Sequence, residues 1–389
     1  MKKHEITELL SRGVSEVNVQ KDLEKKLNSG KKLRIKFGID PTGFDLTLGH
    51  AVVLKKLADF QKMGHQICFL FGNFTAKIGD PTGKDKTRKV LTDEDIKENS
   101  ERYLEQAGMI LDIDKCEIFR NHDWLAKMTF DEILEVAGNF TVSQMLERDM
   151  FQQRMKSGKD INLVEFFYPL MQGYDSIPMK ADLELGGNDQ LFNMMAARPI
   201  QKHFEKAPQN VLTMKILVGT DGKEKMSKSL NNYIALLDSP NEIFGKIMSI
   251  SDNVMMDFFE YLTDIDLSEA NAMIKKNPRD AKVFLAKEII IWLHDEGAAA
   301  RAENDFVQKF VKKETPDEIK EVKVTEEVGI LNLITKVCGF MSSNSEARRL
   351  VQNGAVSLDG EKIVDPNFVF KPGGEVILKA GKRNFAKLV

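Results

Sequence analysis

The first informative pattern is an alternating apolar run from Leu33 to Ile39, which is typical of a buried β-strand. The segment Asp40-Pro41-Thr42-Gly43 ends it, because proline removes a hydrogen-bond donor and disfavours helix at the preceding residue. Apolar residues then recur with helical period up to Gly64, and a second predicted strand spans residues 66–71. Strand, loop, helix and strand in this order predict the first unit of a Rossmann-like parallel nucleotide-binding sheet.

The pattern changes along the chain and predicts an α/β protein with several domains. Residues 5–29 read as a helix pair before the first strand, and residues 233–308 are helical in pattern. The tail combines a helix with a hairpin at Asp359-Gly360. We therefore predict a sheet domain, a helical domain, a Lys/Glu-rich linker and a small α+β domain, at residues 1–232, 233–315, 316–328 and 329–389.

Bulk properties exclude several classes of protein. The 389 residues carry a net charge of -3, so any nucleic-acid contact must come from a local basic face. The three cysteines are far apart and odd in number, which favours a reducing cytoplasm and supports neither a disulfide framework nor a zinc site. The N-terminus lacks a signal-peptide pattern, and the apolar run Ile289 to Leu293 is too short to cross a bilayer, so no membrane partner is predicted.

Two short motifs suggest nucleotide chemistry. Gly49 lets a flat ring or ribose lie against the backbone, and Thr47 and His50 offer polar groups at a helix N-terminus, where phosphate binds. Alone, this stretch is more often a plain strand-to-helix turn. About 175 residues further on stands Lys225-Met226-Ser227-Lys228-Ser229. A lysine cluster is usually a solvated loop, but two lysines flanking a serine can also close over a polyphosphate.

The pair of motifs resembles the signatures of class I aminoacyl-tRNA synthetases, with Thr47-Leu48-Gly49-His50 as a variant of the HIGH element. Three blocks between them, at residues 72–83, 168–175 and 185–190, resemble the tyrosyl-tRNA synthetase family. The resemblance runs nearly end to end. It implies that tyrosine attacks the α-phosphate of ATP, that Mg²⁺ arrives with the nucleotide, and that the tyrosyl group passes to tRNA(Tyr).

A tyrosine site follows from the same resemblance. Tyr168, Gln172 and Asp175 share one face of a predicted helix, which from spacing alone could equally be a buried helix with a capped carboxylate. The family implies that Tyr168 and Gln172 contact the substrate ammonium and that Asp175 accepts from the phenol. A buried acceptor left unpaired explains the known rejection of phenylalanine by this family, about 10⁵-fold. The other implied tyrosine-site residues are Asp40, Thr75, Asp80, Asn121 and Gln190.

The resemblance also implies an ATP site and a set of catalytic residues. Catalysis would be positioning plus charge stabilisation at the phosphate, without a side-chain nucleophile and without a protein metal site. The implied ATP-site residues are Gly38, Asp40, Gly49, His50, Gly187, Asp189 and Lys228. The implied catalytic residues are Thr47, His50, Lys225 and Lys228, with Lys84 and Arg88 on a loop that reaches the leaving pyrophosphate.

Three positions depart from the family pattern. Thr47 replaces the first histidine of the signature, and its hydroxyl can donate to a phosphate but carries no charge. Lys36 stands where one branch of the family has a tyrosine near the phenol hydroxyl, and Phe37 replaces a small polar residue near the ribose. Because the whole loop resembles the other bacterial branch, we interpret these as branch differences.

The family further implies partners. An insertion at about residues 121–185 would form a homodimer interface, and the helical domain would contact the anticodon stem. The tail resembles an S4 RNA-binding domain, and from residue 331 on it holds nine basic and five acidic residues.

Two other functions remain open at this stage. A tryptophanyl-tRNA synthetase shares the fold, although Asp175 and the tail argue against it. The second is a non-catalytic RNA-binding protein that kept the fold, against which His50, Lys225 and Lys228 argue.

Overall fold

The structure is a computed structural model that describes residues 3–82, 91–308, 320–359, 361–372, 375–381 and 384–389. It divides into two compact units, Met1–Phe306 and Val307–Val389. Each unit has its own hydrophobic core and is described by itself.

A six-stranded sheet organises the first unit. Its strands are β1 (Val14–Asn18), β2 (Arg34–Ile39), β3 (Gln66–Phe71), β4 (Glu117–Arg120), β5 (Leu183–Gly187) and β6 (Asn210–Met214). They lie in the order β1-β6-β5-β2-β3-β4, and all neighbours are parallel except β1 with β6. Strand β3 is almost continuously apolar and buried, as expected where helices cover both faces of such a sheet, while β2 alternates apolar residues with Arg34, Lys36 and Gly38. The predicted Rossmann-like sheet is therefore confirmed.

Ten helices accompany the sheet in this part of the described chain. They are α1 (Lys3–Leu9), α2 (Gln20–Asn28), α3 (Leu48–Lys62), α4 (Asp93–Ala107), α5 (His122–Leu125), α6 (Phe130–Ala137), α7 (Val142–Leu146), α8 (Asp149–Lys156), α9 (Val164–Tyr174) and α10 (Leu191–His203). Both helices of the pair predicted at residues 5–29 are present as α1 and α2, but strand β1, which was not predicted, lies between them. Strand β1 is held by its pairing with β6, which lies far along the chain. A segment of 5 residues is too short to show a helical or strand period in the sequence.

A helical region follows the sheet. It comprises α11 (Pro240–Ser249), α12 (Met255–Leu262), α13 (Leu267–Lys276), α14 (Pro278–Leu293) and α15 (Glu296–Phe306). Phe258 and Leu285 from these helices belong to the same buried cluster as Ile35 and Phe69 of the sheet. The expected boundary at residue 232 thus does not separate two cores. No helix in the described ranges is long and apolar enough to cross a membrane.

The second unit combines two sheets with short helices. Its strands are β7 (Lys320–Val322), β8 (Val328–Gly329), β9 (Val356–Leu358), β10 (Glu361–Ile363), β11 (Val369–Phe370), β12 (Val376–Ala380) and β13 (Asn384–Leu388). The sheet orders are β10-β9-β12-β13-β7 and β11-β8, and the helices are α16 (Ile330–Asn332) and α17 (Asn344–Gln352).

The second unit corrects the prediction of a linker at residues 316–328. Strand β7 pairs in parallel with β13, so residues 320–322 are part of the sheet and not a linker. The polar composition of this stretch gave no sign of a strand. Because β7 lies at the edge of the sheet, it can be polar, and its partner β13 is more than 60 residues away in the sequence.

Candidate active site

The carboxyl ends of the parallel strands surround a cavity of about 340 Å³. Loops after β2, β3 and β5 line it, together with one face of α9 and the segment around Lys225. Such an edge is where ligands bind in open α/β sheets, because loops from neighbouring strands converge there. The expected residues that line it are Gly38, Asp40, Thr47, Gly49, His50, Thr75, Asp80, Asn121, Tyr168, Gln172, Asp175, Gly187, Asp189, Gln190 and Lys225.

Three expected residues remain to be accounted for, namely Lys228, Lys84 and Arg88. Lys228 lines an adjoining cavity of about 590 Å³, which shares Thr47, His50 and Lys225 with the first. Lys84 and Arg88 lie outside the described residues.

A buried carboxylate, that of Asp175, marks one end of the cavity. Its side chain is 1% exposed and accepts hydrogen bonds from Trp124 Nε1 at 2.8 Å and Asn121 Nδ2 at 3.3 Å. Burial raises the pKa of Asp175 to about 7, although the Lys36 ammonium and both donors oppose the rise. A carboxylate in this position can accept one further hydrogen bond from a ligand hydroxyl.

The Asp40 carboxylate is held by two hydroxyl groups. Tyr168 donates its phenolic hydrogen to Oδ2 at 2.9 Å, and Thr75 Oγ1 donates to Oδ1 at 2.8 Å. Burial and the nearby carboxylates raise the pKa of Tyr168, so its hydroxyl stays a neutral donor. A side chain at Gly72 would stand 2.0 Å from Asp40 Oδ1, so only glycine fits beside this carboxylate.

Asp80 is a further carboxylate that lines the same cavity. Gln190 Nε2 donates to its Oδ2 at 2.6 Å, and the Thr82 amide donates to its Oδ1 at 2.9 Å. Asn193 Nδ2 in turn donates to Gln190 Oε1 at 3.0 Å, which fixes the orientation of that amide. The carboxylates of Asp40 and Asp80 both line the cavity, and such negatively charged groups can attract a small cationic group such as an ammonium.

Glycines keep the other part of the cavity open. A methyl group on Gly38 would meet only Leu70, at an ordinary 3.6 Å, so protein packing does not require glycine there. On Gly49 it would meet Thr47 Oγ1 at 3.4 Å and Met226 Cβ at 3.7 Å. Because both positions line the cavity, their missing side chains leave room for a flat ring or a sugar.

Thr47 and His50 form a capping box at the start of α3. The Thr47 amide donates to His50 Nδ1 at 3.1 Å, so the ring proton belongs on Nε2. Burial, followed by the charges of Lys228 and Lys225, lowers the pKa of His50 to about 4. The ring is therefore neutral at pH 7 and offers an N–H donor to the cavity.

The two lysines of the KMSKS segment are held by different groups. Lys225 Nζ lies 3.1 Å from Asp189 Oδ2, while Lys228 Nζ donates to the main-chain oxygen of Asp45 at 2.8 Å. Burial lowers the pKa of Lys228. Both lysines and His50 line the same cavity, so this part of the site combines positive charge with hydrogen-bond donors.

Two family models together match most of the chain. A family model for class I tRNA synthetases of the W and Y group matches residues 28–312, and one for the tyrosine–tRNA ligase SYY-like C-terminal domain matches residues 311–388. The chain belongs to the tyrosine–tRNA ligase family. The sequence resemblance is thereby confirmed.

Curated relatives match over almost the whole chain. A tyrosine–tRNA ligase of Carboxydothermus hydrogenoformans is 49% identical over 98% of this chain and 97% of its own. Those of Francisella tularensis and Thermotoga maritima are 48% and 45% identical, over 99% and 100% of this chain and 98% of each relative.

Solved structures of tyrosyl-tRNA synthetases share the fold. The Aspergillus nidulans mitochondrial enzyme, C-terminally truncated, has a TM-score of 0.64 at 23% identity, covering 79% of this chain and 95% of that one. The Archaeoglobus fulgidus enzyme complexed with L-tyrosine has a TM-score of 0.62 at 23% identity, covering 77% and 98%.

Two site residues, Trp124 and Glu184, escaped the sequence reasoning. Trp124 donates to Asp175, and its position one turn after Asn121 was the available signal. Glu184 forms a buried ion pair with Lys36. The available sequence signal for this pair was a charged residue in the interior of each of two strands. Each partner alone looked like an isolated departure from the strand pattern.

Thr47 and Phe37, the other two positions that depart from the family pattern, have structural roles. Thr47 caps α3 through its contact with His50, and its main chain bridges to Ala235. Phe37 is buried, with its ring centroid 5.2 Å from that of Phe69 in an edge-on contact. A small polar residue would leave that contact unmade.

Proposed function

We propose that the protein activates L-tyrosine with ATP and transfers it to the 3′ end of tRNA(Tyr), as its relatives' name, tyrosine–tRNA ligase, indicates. The observation that carries the proposal is Asp175, 1% exposed and held by Trp124 and Asn121 in a cavity that the carboxylates of Asp40 and Asp80 also line. A buried acceptor of this kind selects a ligand that brings its own hydroxyl. The amino acid would bind with its phenol at Asp175 and its ammonium near Asp80, Tyr168 and Gln172.

The nucleotide would occupy the glycine-lined part of the cavity, with its ribose near Asp189. The tyrosine carboxylate, oriented by Gln190, would attack the α-phosphate and release pyrophosphate. His50 Nε2–H, Thr47, Lys225 and Lys228 supply donors and positive charge where negative charge grows. Lys84 and Arg88 remain predicted helpers of the same step. No side-chain nucleophile is needed, because the substrate carboxylate is the nucleophile.

Mg²⁺ would come with the ATP phosphates. Among the described residues, no group of three or more histidine, cysteine, aspartate or glutamate side chains is placed to hold a metal ion. The cation would therefore be bound mainly by the substrate, where it neutralises phosphate charge.

A homodimer is proposed from the exposed surface of the predicted insertion. Several large apolar side chains of this segment are exposed, with Phe130 73%, Leu134 54%, Val142 71% and Leu163 73% exposed. Contiguous exposed apolar groups mark interaction surfaces. Because the family resemblance already assigns this segment to self-association, the second copy of the chain is the proposed occupant.

The dimer is testable by sedimentation. We expect the wild type at twice the chain mass of 44.1 kDa and Phe130→Glu or Leu163→Glu shifted to the monomer, because a buried charge opposes association. Val364→Glu, which alters an exposed apolar residue of the second unit, is the matched control and should stay dimeric. A monomeric wild type, or dimeric insertion variants, would contradict the proposal.

The second unit and the helical region would bind the tRNA. The excess of basic residues in the tail gives the local positive field that the chain as a whole lacks. The reaction would take place in the cytoplasm.

The function is tested by ATP–pyrophosphate exchange with tyrosine, phenylalanine and tryptophan offered separately. Exchange that depends on tyrosine is the expected result. Exchange with tryptophan alone would keep the fold and overturn the substrate. A folded protein that binds tRNA and shows no exchange would be an RNA-binding protein without this catalysis.

A further inference from the structure

Lys36 and Glu184 form a buried ion pair beneath the amino-acid part of the cavity. They are register partners on the parallel strands β2 and β5, and Lys36 Nζ lies 3.1 Å from Glu184 Oε1. Their side chains are 0% and 2% exposed. Burying two charges costs so much desolvation energy that an apolar pair of similar volume often gives an equal or more stable protein. A role beyond stability is therefore worth seeking.

The Lys36 ammonium uses all of its hydrogens inside the protein. Besides Glu184, it donates to the main-chain oxygen of Gln172 at 2.6 Å and to Ser176 Oγ at 3.0 Å. An ammonium has three N–H groups, so these three acceptors leave none for a ligand. Lys36 must act through its neighbours and not by touching the substrate.

Glu184 determines which way the Gln172 side chain faces. Gln172 Nε2 donates to Glu184 Oε1 at 3.2 Å, and Gln209 Nε2 donates to the other carboxylate oxygen. An ionised carboxylate can only accept, so the NH₂ end of the Gln172 amide must face it. The amide oxygen is then the atom that Gln172, which lines the cavity, can offer to a ligand.

We propose that the Lys36–Glu184 pair is a positioning element for the substrate ammonium: Glu184 holds the Gln172 oxygen toward the ligand, and Lys36 neutralises Glu184 inside the sheet. The inference rests on the proposed function and deepens it, because it explains why this site carries a buried ion pair. Removal of the pair should weaken ligands that have an ammonium and spare ligands that lack one.

The test compares two ligands that differ only in the amino group, L-tyrosinol and 3-(4-hydroxyphenyl)propan-1-ol, by calorimetric titration. Lys36→Met with Glu184→Leu replaces the pair by apolar side chains, so no buried charge is left unpaired. We expect tyrosinol to bind roughly 10- to 100-fold more weakly, the value of a hydrogen bond to a charged group. The deaminated alcohol should bind within about twofold of wild type, since it makes no such bond.

Two further variants complete the design. Glu117→Gln breaks the ion pair of Arg34 on the same strand, away from the cavity, and should change neither affinity. Lys36→Gln with Glu184→Gln, which removes both charges and keeps polar groups, serves if the apolar double variant does not fold. The same selective loss of tyrosinol is expected, because an amide at position 184 no longer dictates which end of the Gln172 amide faces it. Equal losses for both ligands, or no loss in a folded variant, would overturn the inference. A wild type without tyrosine-dependent exchange would overturn the proposed function instead.

Discussion

At the residue scale, the site is an arrangement of groups whose ordinary ionisation is changed by burial. His50 is kept neutral because burial and two lysines lower its pKa to about 4. Asp175 changes in the opposite direction, since burial raises its pKa to about 7. Both shifts come from desolvation of a charged form, which is unfavourable in an apolar cavity. The cavity therefore influences stability as well as binding.

Asp175 should make the ligand-free protein more stable at acid pH. The folded chain binds this proton more tightly than the unfolded chain, whose carboxyl has a pKa of 3.8. The stabilisation is complete below about pH 4 and is lost as the pH rises through about 7. Over this window we expect a change of on the order of 2–4 kcal/mol.

The measurement is denaturant unfolding of the wild type and Asp175→Asn between pH 5 and 8. The difference in unfolding free energy between them should fall with rising pH, because other titrating groups cancel. A difference independent of pH would show that Asp175 does not titrate in this range.

At the element scale, the geometry of the loops after β2 and β3 determines which side chains of the site meet. The loop after β3 brings Gly72 against Asp40, while the loop after β2 carries Asp40 itself, and Thr75 joins the two loops through its hydroxyl. Helix α9 adds the third component, because Tyr168, Gln172 and Asp175 share one face. The spacing on α9 was visible in the sequence; the pairing of the two loops was not.

Gly72→Ala and Gly38→Ala should distinguish a glycine that protein packing requires from a glycine that leaves room for a ligand. A Cβ at Gly72 would stand 2.0 Å from Asp40 Oδ1 and 2.4 Å from Thr75 Oγ1, so Asp40 must move. We expect Gly72→Ala to lower the unfolding free energy by about 1–3 kcal/mol and to raise the KM for tyrosine.

Gly38→Ala is the matched variant, since its methyl group meets only Leu70 at 3.6 Å. It should leave stability within about 0.5 kcal/mol and raise the KM for ATP, because the methyl group enters the cavity. Exchange kinetics and thermal melting check both. Equal stability of the two variants would count against the geometry described.

At the scale of the whole molecule, each of the two compact units has its own main core among the described residues. The first joins the sheet to α11–α15, and the second surrounds Leu333, Val351 and Leu378. Separate cores can unfold separately, in which case a single melting temperature does not describe the protein.

Core substitutions should therefore act on one unit at a time. We expect calorimetry to resolve two transitions, with Leu378→Ala shifting one and Leu285→Ala the other, each by about 2–5 kcal/mol of unit stability. At temperatures where it unfolds the second unit, Leu378→Ala should also keep tyrosine-dependent exchange and lose tRNA aminoacylation, because the proposed first step uses residues of the first unit. One transition that both variants shift equally would contradict the division.

The sequence by itself determined features that depend on neighbours along the chain. Alternation from Leu33 to Ile39 indicated a strand, and helical spacing placed Tyr168, Gln172 and Asp175 on one face. The resemblance to a known family was also present in the linear order of its motifs. Such features are local, so periodicity and spacing are enough to find them.

Only the tertiary structure decided how distant segments meet. It placed Lys36 opposite Glu184, brought Trp124 to Asp175, inserted β1 beside β6 and paired β7 with β13. In each case the partner lies far along the chain, and a charged residue or a short polar strand gives no sign of it. A buried charge is tolerated only where its partner is present, and which partner that is depends on strand order.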